Sequence, residues 1–155
     1  MSATVRLWML ALLSAAVLLS RCDALAPGGL STAPDLASAD VVQQLQGTWQ
    51  RDAAEQGMQA RRLLTLRPNG SFLETVHVVD AGGAATDFIH EGTWLYDGTN
   101  LKRHYTSMNG NPPSRLNLPF ATFEIRFESR NEFLGIDRIH GHEVRYRRVA
   151  ADAQP

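Results

Sequence analysis

From residue 47 onward the chain alternates, and that alternation limits what it can become. In residues 120–128, Phe123, Ile125 and Phe127 take every second place, with Glu124, Arg126 and Glu128 between them. The last such stretch, residues 142–149, sets Val144 and Tyr146 against Glu143, Arg145 and Arg147. A period of two gives a strand one dry face and one wet face, the habit of antiparallel sheets rather than of parallel sheets covered by helices. A helix needs a stripe of period 3.6 instead. After residue 46 the best helical candidate is residues 53–60, which Gly57 weakens.

Turn chemistry divides this region into eight strands, at 47–51, 61–67, 71–79, 87–96, 99–107, 120–128, 132–139 and 142–149. The breaks are Pro68-Asn69-Gly70, Asp80 to Gly83, Asp97-Gly98, Arg130-Asn131, His140-Gly141 and the Asn-, Gly- and Pro-rich residues 109–113. Pro presets φ and Asn-Gly accepts positive φ, so these are hairpin signals. Eight strands joined hairpin by hairpin predict an all-β fold, a small up-and-down antiparallel barrel whose closure removes exposed edges. A two-sheet sandwich is the alternative.

The residues before this region have another texture. Residues 7–20 form an unbroken apolar run preceded by Arg6. At 1.5 Å per residue it reaches about 21 Å, short of the roughly 30 Å hydrocarbon core of a bilayer. It therefore reads as the core of a signal peptide spanning residues 1–21. Residues 22–44 read as a flexible tether: residues 23–40 are built from Ala, Pro, Gly, Ser, Thr, Asp and Leu, which bury too little surface to offset ordering entropy. A short helical turn is expected at residues 41–45 with Asp40 as its N-cap. The barrel occupies residues 45–149, and residues 150–155 are expected to form a disordered tail.

Composition excludes two classes. A single cysteine cannot build a disulfide framework, and 15 basic against 16 acidic residues, without a dense basic patch, gives no footprint for nucleic acid. That cysteine stands in Leu19-Ser20-Arg21-Cys22, which resembles the lipobox of bacterial lipoproteins, with Arg21 where that motif carries a small residue. The resemblance implies that Cys22 is lipidated and that the domain is membrane-anchored facing the periplasm. The other reading is ordinary cleavage near Cys22-Asp23-Ala24, giving a soluble periplasmic or secreted protein.

Gly47-Thr48-Trp49, the hairpin at residues 64–72, the segment from Glu91-Gly92-Thr93-Trp94 to Leu101, and the closing residues 144–149 resemble, in order and spacing, the small bacterial lipocalin-like domains, relatives of the calycin barrels. The resemblance covers residues 45–149. It implies that Trp49 packs across the closed end of the barrel beneath Arg147 or Arg148 from the final strand. Cation–π stacking of that kind contributes about 0.5–2 kcal/mol.

No assembled chemistry stands out. His140-Gly141-His142 supplies two imidazoles, whereas zinc takes three or four protein ligands, and His77, His90 and His104 lie on other segments, so no metal is expected. Ser71, Ser107, Ser114 and Ser129 lack a nucleophile-elbow context, so no catalytic residue, cofactor or enzyme activity is expected. Glu74 and Glu91 are placed to project into the barrel, and Arg103, alternating with Leu101 and Tyr105, to point inward and pair with one of them. The aromatics Phe72, Trp94, Tyr105, Phe123, Phe127 and Tyr146 are the candidate wall for a small apolar ligand. An eight-stranded barrel either fills itself with side chains or holds one such ligand. Two functions follow: an envelope-anchored binder of an apolar ligand, or a protein-interaction module (a periplasmic hydrolase inhibitor or accessory subunit of an envelope complex) acting through loops such as residues 107–118.

Overall fold

A computed structural model describes residues 36–114 and 119–155. A helix, α1 (Leu36–Leu45), is followed by β1 (Gly47–Glu55), β2 (Met58–Leu66), β3 (Ser71–Val79), β4 (Ala85–Tyr96), β5 (Asn100–Met108), β6 (Phe120–Ser129), β7 (Glu132–Asp137) and β8 (His142–Val149). Each strand pairs antiparallel with the next, and β8 returns to β1 with Val149, Arg148 and Arg147 opposite Thr48, Trp49 and Gln50. The domain is a closed eight-stranded up-and-down barrel, not a sandwich. Along β2, β3, β5 and β8 alternate residues turn inward, so Leu64 and Leu66, Phe72, Leu101 and Tyr105, and Val144 and Tyr146 share one core.

Three local readings are corrected. Residues 53–60 are not helical. They are the ends of β1 and β2, paired from Ala53–Ala60 to Glu55–Met58 across a two-residue turn. Gln56 and Gly57 both have positive φ there, 50° and 80°, the requirement of the hairpin turn whose twist matches its strands. The helix is longer than a turn: α1 begins at Leu36, so Asp40 lies inside it rather than capping it. Val41, Val42 and Leu45 fall on one side of α1 and pack against the barrel core, and that burial stabilises a segment its own composition would leave unfolded. Finally, β7 stops at Asp137, whose carboxylate accepts the amides of Ile139 and His140 at 2.9 and 3.1 Å and bends the chain away from the sheet. Residues 150–155, read as a tail, include a turn closed by the Ala153 amide on the Ala150 carbonyl. The predicted signal peptide and Cys22 lie outside the described residues.

One end of the barrel is sealed by α1. The Trp49 indole donates to the Leu45 carbonyl at 2.7 Å, and Leu45 and Trp49 are fully buried. Arg148 lies over the Trp49 ring, 4.2 Å from its centroid, and donates to the carbonyls of Gln44 and Gln46. It thereby satisfies acceptors that the end of a helix leaves open. Gly47 admits this guanidinium: it has φ of 120°, and a Cβ there would meet Arg148 Nη1. Arg147 faces the other way and reaches Asp52 at 3.3 Å on the outer surface.

The opposite end is looser. Only three residue pairs join β1 to β8, and β5 pairs with β6 only from Asn100 to His104. Between β4 and β5 the strands press together at a register shift beside Gly92, where an added Cβ would lie 2.0 Å from the His104 carbonyl oxygen and 2.7 Å from Phe72. The nearer obstacle is backbone and cannot rotate aside. Gly92→Ala is therefore expected to destabilise the domain by about 2–3 kcal/mol, the range for overpacked cores, read as a lower urea midpoint at unchanged m-value. An unaltered midpoint would mean that β4 and β5 do not approach so closely.

Candidate functional site

Inside the barrel, four neighbouring strands each send a polar side chain to one point. Glu74 on β3 is fully buried. Its Oε1 accepts from Arg103 Nη1 on β5 at 2.5 Å. Its Oε2 receives Arg62 Nη1 from β2 at 2.9 Å, His90 Nδ1 from β4 at 3.2 Å and the Tyr105 hydroxyl at 3.4 Å. The period-two pattern explains the convergence. Arg62 alternates with Leu64 and Leu66, Glu74 with Phe72 and Val76, and Arg103 with Leu101 and Tyr105, so each charge sits on an otherwise apolar inward face.

The surroundings set the charges. Burial pushes the Glu74 carboxyl up, but the Arg103 charge, the His90 hydrogen bond and the Arg62 charge outweigh it and hold the group well below its ordinary value of 4.5. Burial works against the Arg103 cation, and Glu74 more than offsets it. Burial, opposed by Arg103 and reinforced by Glu74, pushes the Tyr105 phenol up to about 12, so it stays a neutral donor. The Arg103 guanidinium also lies 5.5–5.7 Å from the ring centroids of Phe72, Tyr105 and Phe123. Its Nε is buried without a hydrogen-bond partner.

Above this cluster, toward the looser end, is a cleft of about 460 Å³ lined by Arg62, Val76, Val78, Phe88, His90, Met108 and Asn109. Its walls are mainly apolar, and Arg62 and His90 bring the polar cluster into it. A second depression of about 490 Å³ lies along β4, β5 and β6, where Leu95 and Phe120 are exposed and Phe120 stacks on His104 at 4.6 Å.

The aromatics expected to face a ligand are mostly spent on packing. Phe72 and Tyr105 meet edge to face at 5.2 Å, and Tyr146 stacks on Phe133 at 5.0 Å. Phe127 lies against Trp49 and Phe133, and the Phe123 Cβ stands close to Gly135. Trp94 donates its indole N–H to the Arg67 carbonyl at 3.0 Å and borders the β4–β6 depression. None of the six lines the cleft. Of the two glutamates proposed for Arg103, Glu74 is the partner and Glu91 is exposed. His140 lies in the β7–β8 turn bonded to Asp137, so it does not share a strand face with His142. Among the described residues no three His, Cys, Asp or Glu side chains are grouped to hold a metal ion. Sequence reading missed Arg62 and His90, although the spacing of Arg62 from Leu64 and Leu66 carried the signal.

The barrel therefore has a sealed, aromatic-packed lower half, a charged waist and an apolar-walled upper cleft. Among solved structures, a lipocalin-like protein from Bacteroides uniformis is similar, with a TM-score of 0.43 and 16% identity over 68% of this chain and 99% of that one. No family model matches the chain, and no curated protein matches it.

Two outcomes test the waist. Glu74→Gln leaves two guanidiniums facing no anion and is expected to cost about 3–5 kcal/mol, the usual penalty for breaking a buried pair. Adding Arg103→Met should recover much of that loss in the same urea titration. Because folding lowers the Glu74 value, its contribution is complete above the ordinary value and is lost as pH falls through the folded one. Denaturation midpoints taken from neutral pH down to about pH 2 should therefore fall on the acid side for the native protein and more shallowly for Glu74→Gln.

Proposed function

We propose that this protein is a non-enzymatic binding module of the cell envelope that holds a small apolar ligand in the open half of its barrel. The observation that carries this reading is the cleft formed by Val76, Val78, Phe88 and Met108. Its volume of about 460 Å³ lies within the span of roughly 300–1,000 Å³ usual for small-molecule sites. Removing apolar surface from water at about 25 cal/mol per Å² supplies the affinity. Decanol is a suitable neutral probe. At about a hundredfold over its Kd, a ligand of the folded state stabilises it by about 2.7 kcal/mol, so the melting temperature should rise. Val78→Trp, which fills the cleft, should abolish the rise without lowering the starting melting temperature. A rise that survives this substitution would place binding elsewhere.

The envelope part of the reading is supported by the apolar run at residues 7–20 and by Cys22 directly after it, with residues 23–35 as spacer. Lipid chains contribute about 0.8 kcal/mol per buried methylene, so acylation at Cys22 would hold the domain at a membrane facing the periplasm. The intact mass of the mature N-terminus tests this directly: an acylated Cys22 is expected, and an unmodified N-terminus beyond it would indicate a soluble exported form.

A second reading, a protein-interaction module, is favoured by the exposed pair Leu95 and Phe120 beside His104 on the outer face. Phe120→Ser would weaken such an interaction and leave decanol binding intact.

A further inference from the structure

We infer a second site at the sealed end of the barrel, where the cleft between α1 and the β6–β7 turn binds a zwitterion, its oxyanion met by Arg130 and Arg148 and its ammonium group by Asp40. This cleft has a volume of about 660 Å³ and is lined by Asp40, Gln43 and Gln44 of α1, by Arg130 and Asn131 of the turn, and by Arg148 of β8. All of these side chains are polar or charged, unlike the mainly apolar walls of the upper cleft. The walls are tied to one another. Gln44 Nε2 on α1 donates to the Ser129 carbonyl at 3.4 Å, and the Arg148 amide donates to the Asn131 carbonyl at 2.7 Å. The Arg148 guanidinium adds its bonds to the carbonyls of Gln44 and Gln46. Helix, turn and strand are therefore held together before a ligand enters.

The charges on these walls lack counter-ions. Arg148 is partly buried, and its partners are two neutral carbonyls and the Trp49 ring. Burial pushes its guanidinium down from the ordinary value with no acid to offset it. Burial works against Arg62 and Arg103 as well, but there Glu74 outweighs it. Arg148 remains a cation, because a guanidinium keeps its proton in proteins. A cation partly withdrawn from water is stabilised by an oxyanion that accepts its N–H groups. Arg130 and Asp40 are exposed, and neither forms an ion pair among the described residues, with the other or with any third group. The side-chain amides of Gln43 and Asn131 also make no hydrogen bond among the described residues.

The ligand class follows from the signs. Two cations and one carboxylate line a single space. A simple anion would meet Asp40 with the wrong sign, and a simple cation would meet both arginines. A molecule carrying an oxyanion and a primary ammonium group matches all three charges. The guanidiniums only donate and the carboxylate only accepts, while the amides of Gln43 and Asn131 do either. Free amino acids and the phosphoethanolamine head group of lipids share this chemistry.

The experiment follows the Gln43 and Asn131 side-chain amide signals of the full, nitrogen-15-labelled protein at low ionic strength, where exposed charges are least screened. Two zwitterions, glycerophosphoethanolamine and alanine, are each compared with the matching anion that lacks the ammonium group, glycerophosphoglycerol and propionate. At least one zwitterion is expected to shift both signals saturably and to bind about threefold or more tightly than its matching anion, the order of one exposed ion pair. Tighter binding of glycerophosphoethanolamine would identify a lipid head group as the source, and tighter binding of alanine a free amino acid. Arg130→Gln should weaken zwitterion and anion alike. Asp40→Asn should weaken the zwitterion and strengthen its matching anion, a reversal that a merely basic patch would not show. Both residues are exposed, so the variants should melt with the native protein. Anions that bind as tightly as their zwitterions, or amide signals that no probe shifts saturably, would overturn the inference and leave the upper cleft unaffected.

Discussion

A single buried carboxylate organises this barrel. Glu74 takes hydrogen bonds or ion pairs from β2, β4 and β5 while sitting on β3, so four adjacent strands are tied at one height. A slip of one residue in any of them would turn its partner to the outer face and leave the carboxylate short of a donor. Apolar packing alone tolerates sliding of one methyl group past another; a charge that must meet other charges does not. The same residue divides the lumen into a filled half below and an open half above.

Below the waist, buried aromatic and aliphatic side chains pack against one another. Trp49, Phe72 and Phe133 are essentially inaccessible, and Arg148 seals the end by stacking on Trp49 while holding the last carbonyls of α1. This end acts as a plug made from both ends of the domain, the helix before β1 and the end of strand β8. Above the waist, β1–β8 and β5–β6 pair over short stretches only, and the side chains of β2 to β5 are left to line the cleft. The close packing below the waist supports the Arg62, Glu74 and His90 side chains from beneath, at the base of the cleft.

Much of this was legible in the sequence. Alternation in residues 120–128 and 142–149, with the Asn-Gly and Asp-Gly turns, located eight strands and their faces, and strand bounds at 71–79 and 142–149 needed no revision. The failures have physical causes. Gln56-Gly57 adopts positive φ at a residue type that does not advertise it, so the β1–β2 hairpin was hidden. Helix α1 is held by Val41, Val42 and Leu45 on the barrel, a tertiary contact that no local propensity records. Apolar surface in a core and in a cavity has one composition, so the sequence does not separate a ligand wall from the aromatic packing that Phe72, Phe127 and Tyr146 make.

By itself the sequence determined the strand count, the inward and outward faces of most strands, and the presence of an inward arginine with an inward carboxylate, Glu74, among its candidate partners. Period two supplies the face of each residue, and face is a local property. Only the tertiary structure decided that Arg148 rather than Arg147 covers Trp49, that Glu74 rather than Glu91 meets Arg103, and that Arg62 and His90 join them beneath an open cleft. Those choices depend on height along the barrel axis, and height comes from the registers between strands, which are set by contacts between residues far apart in the chain.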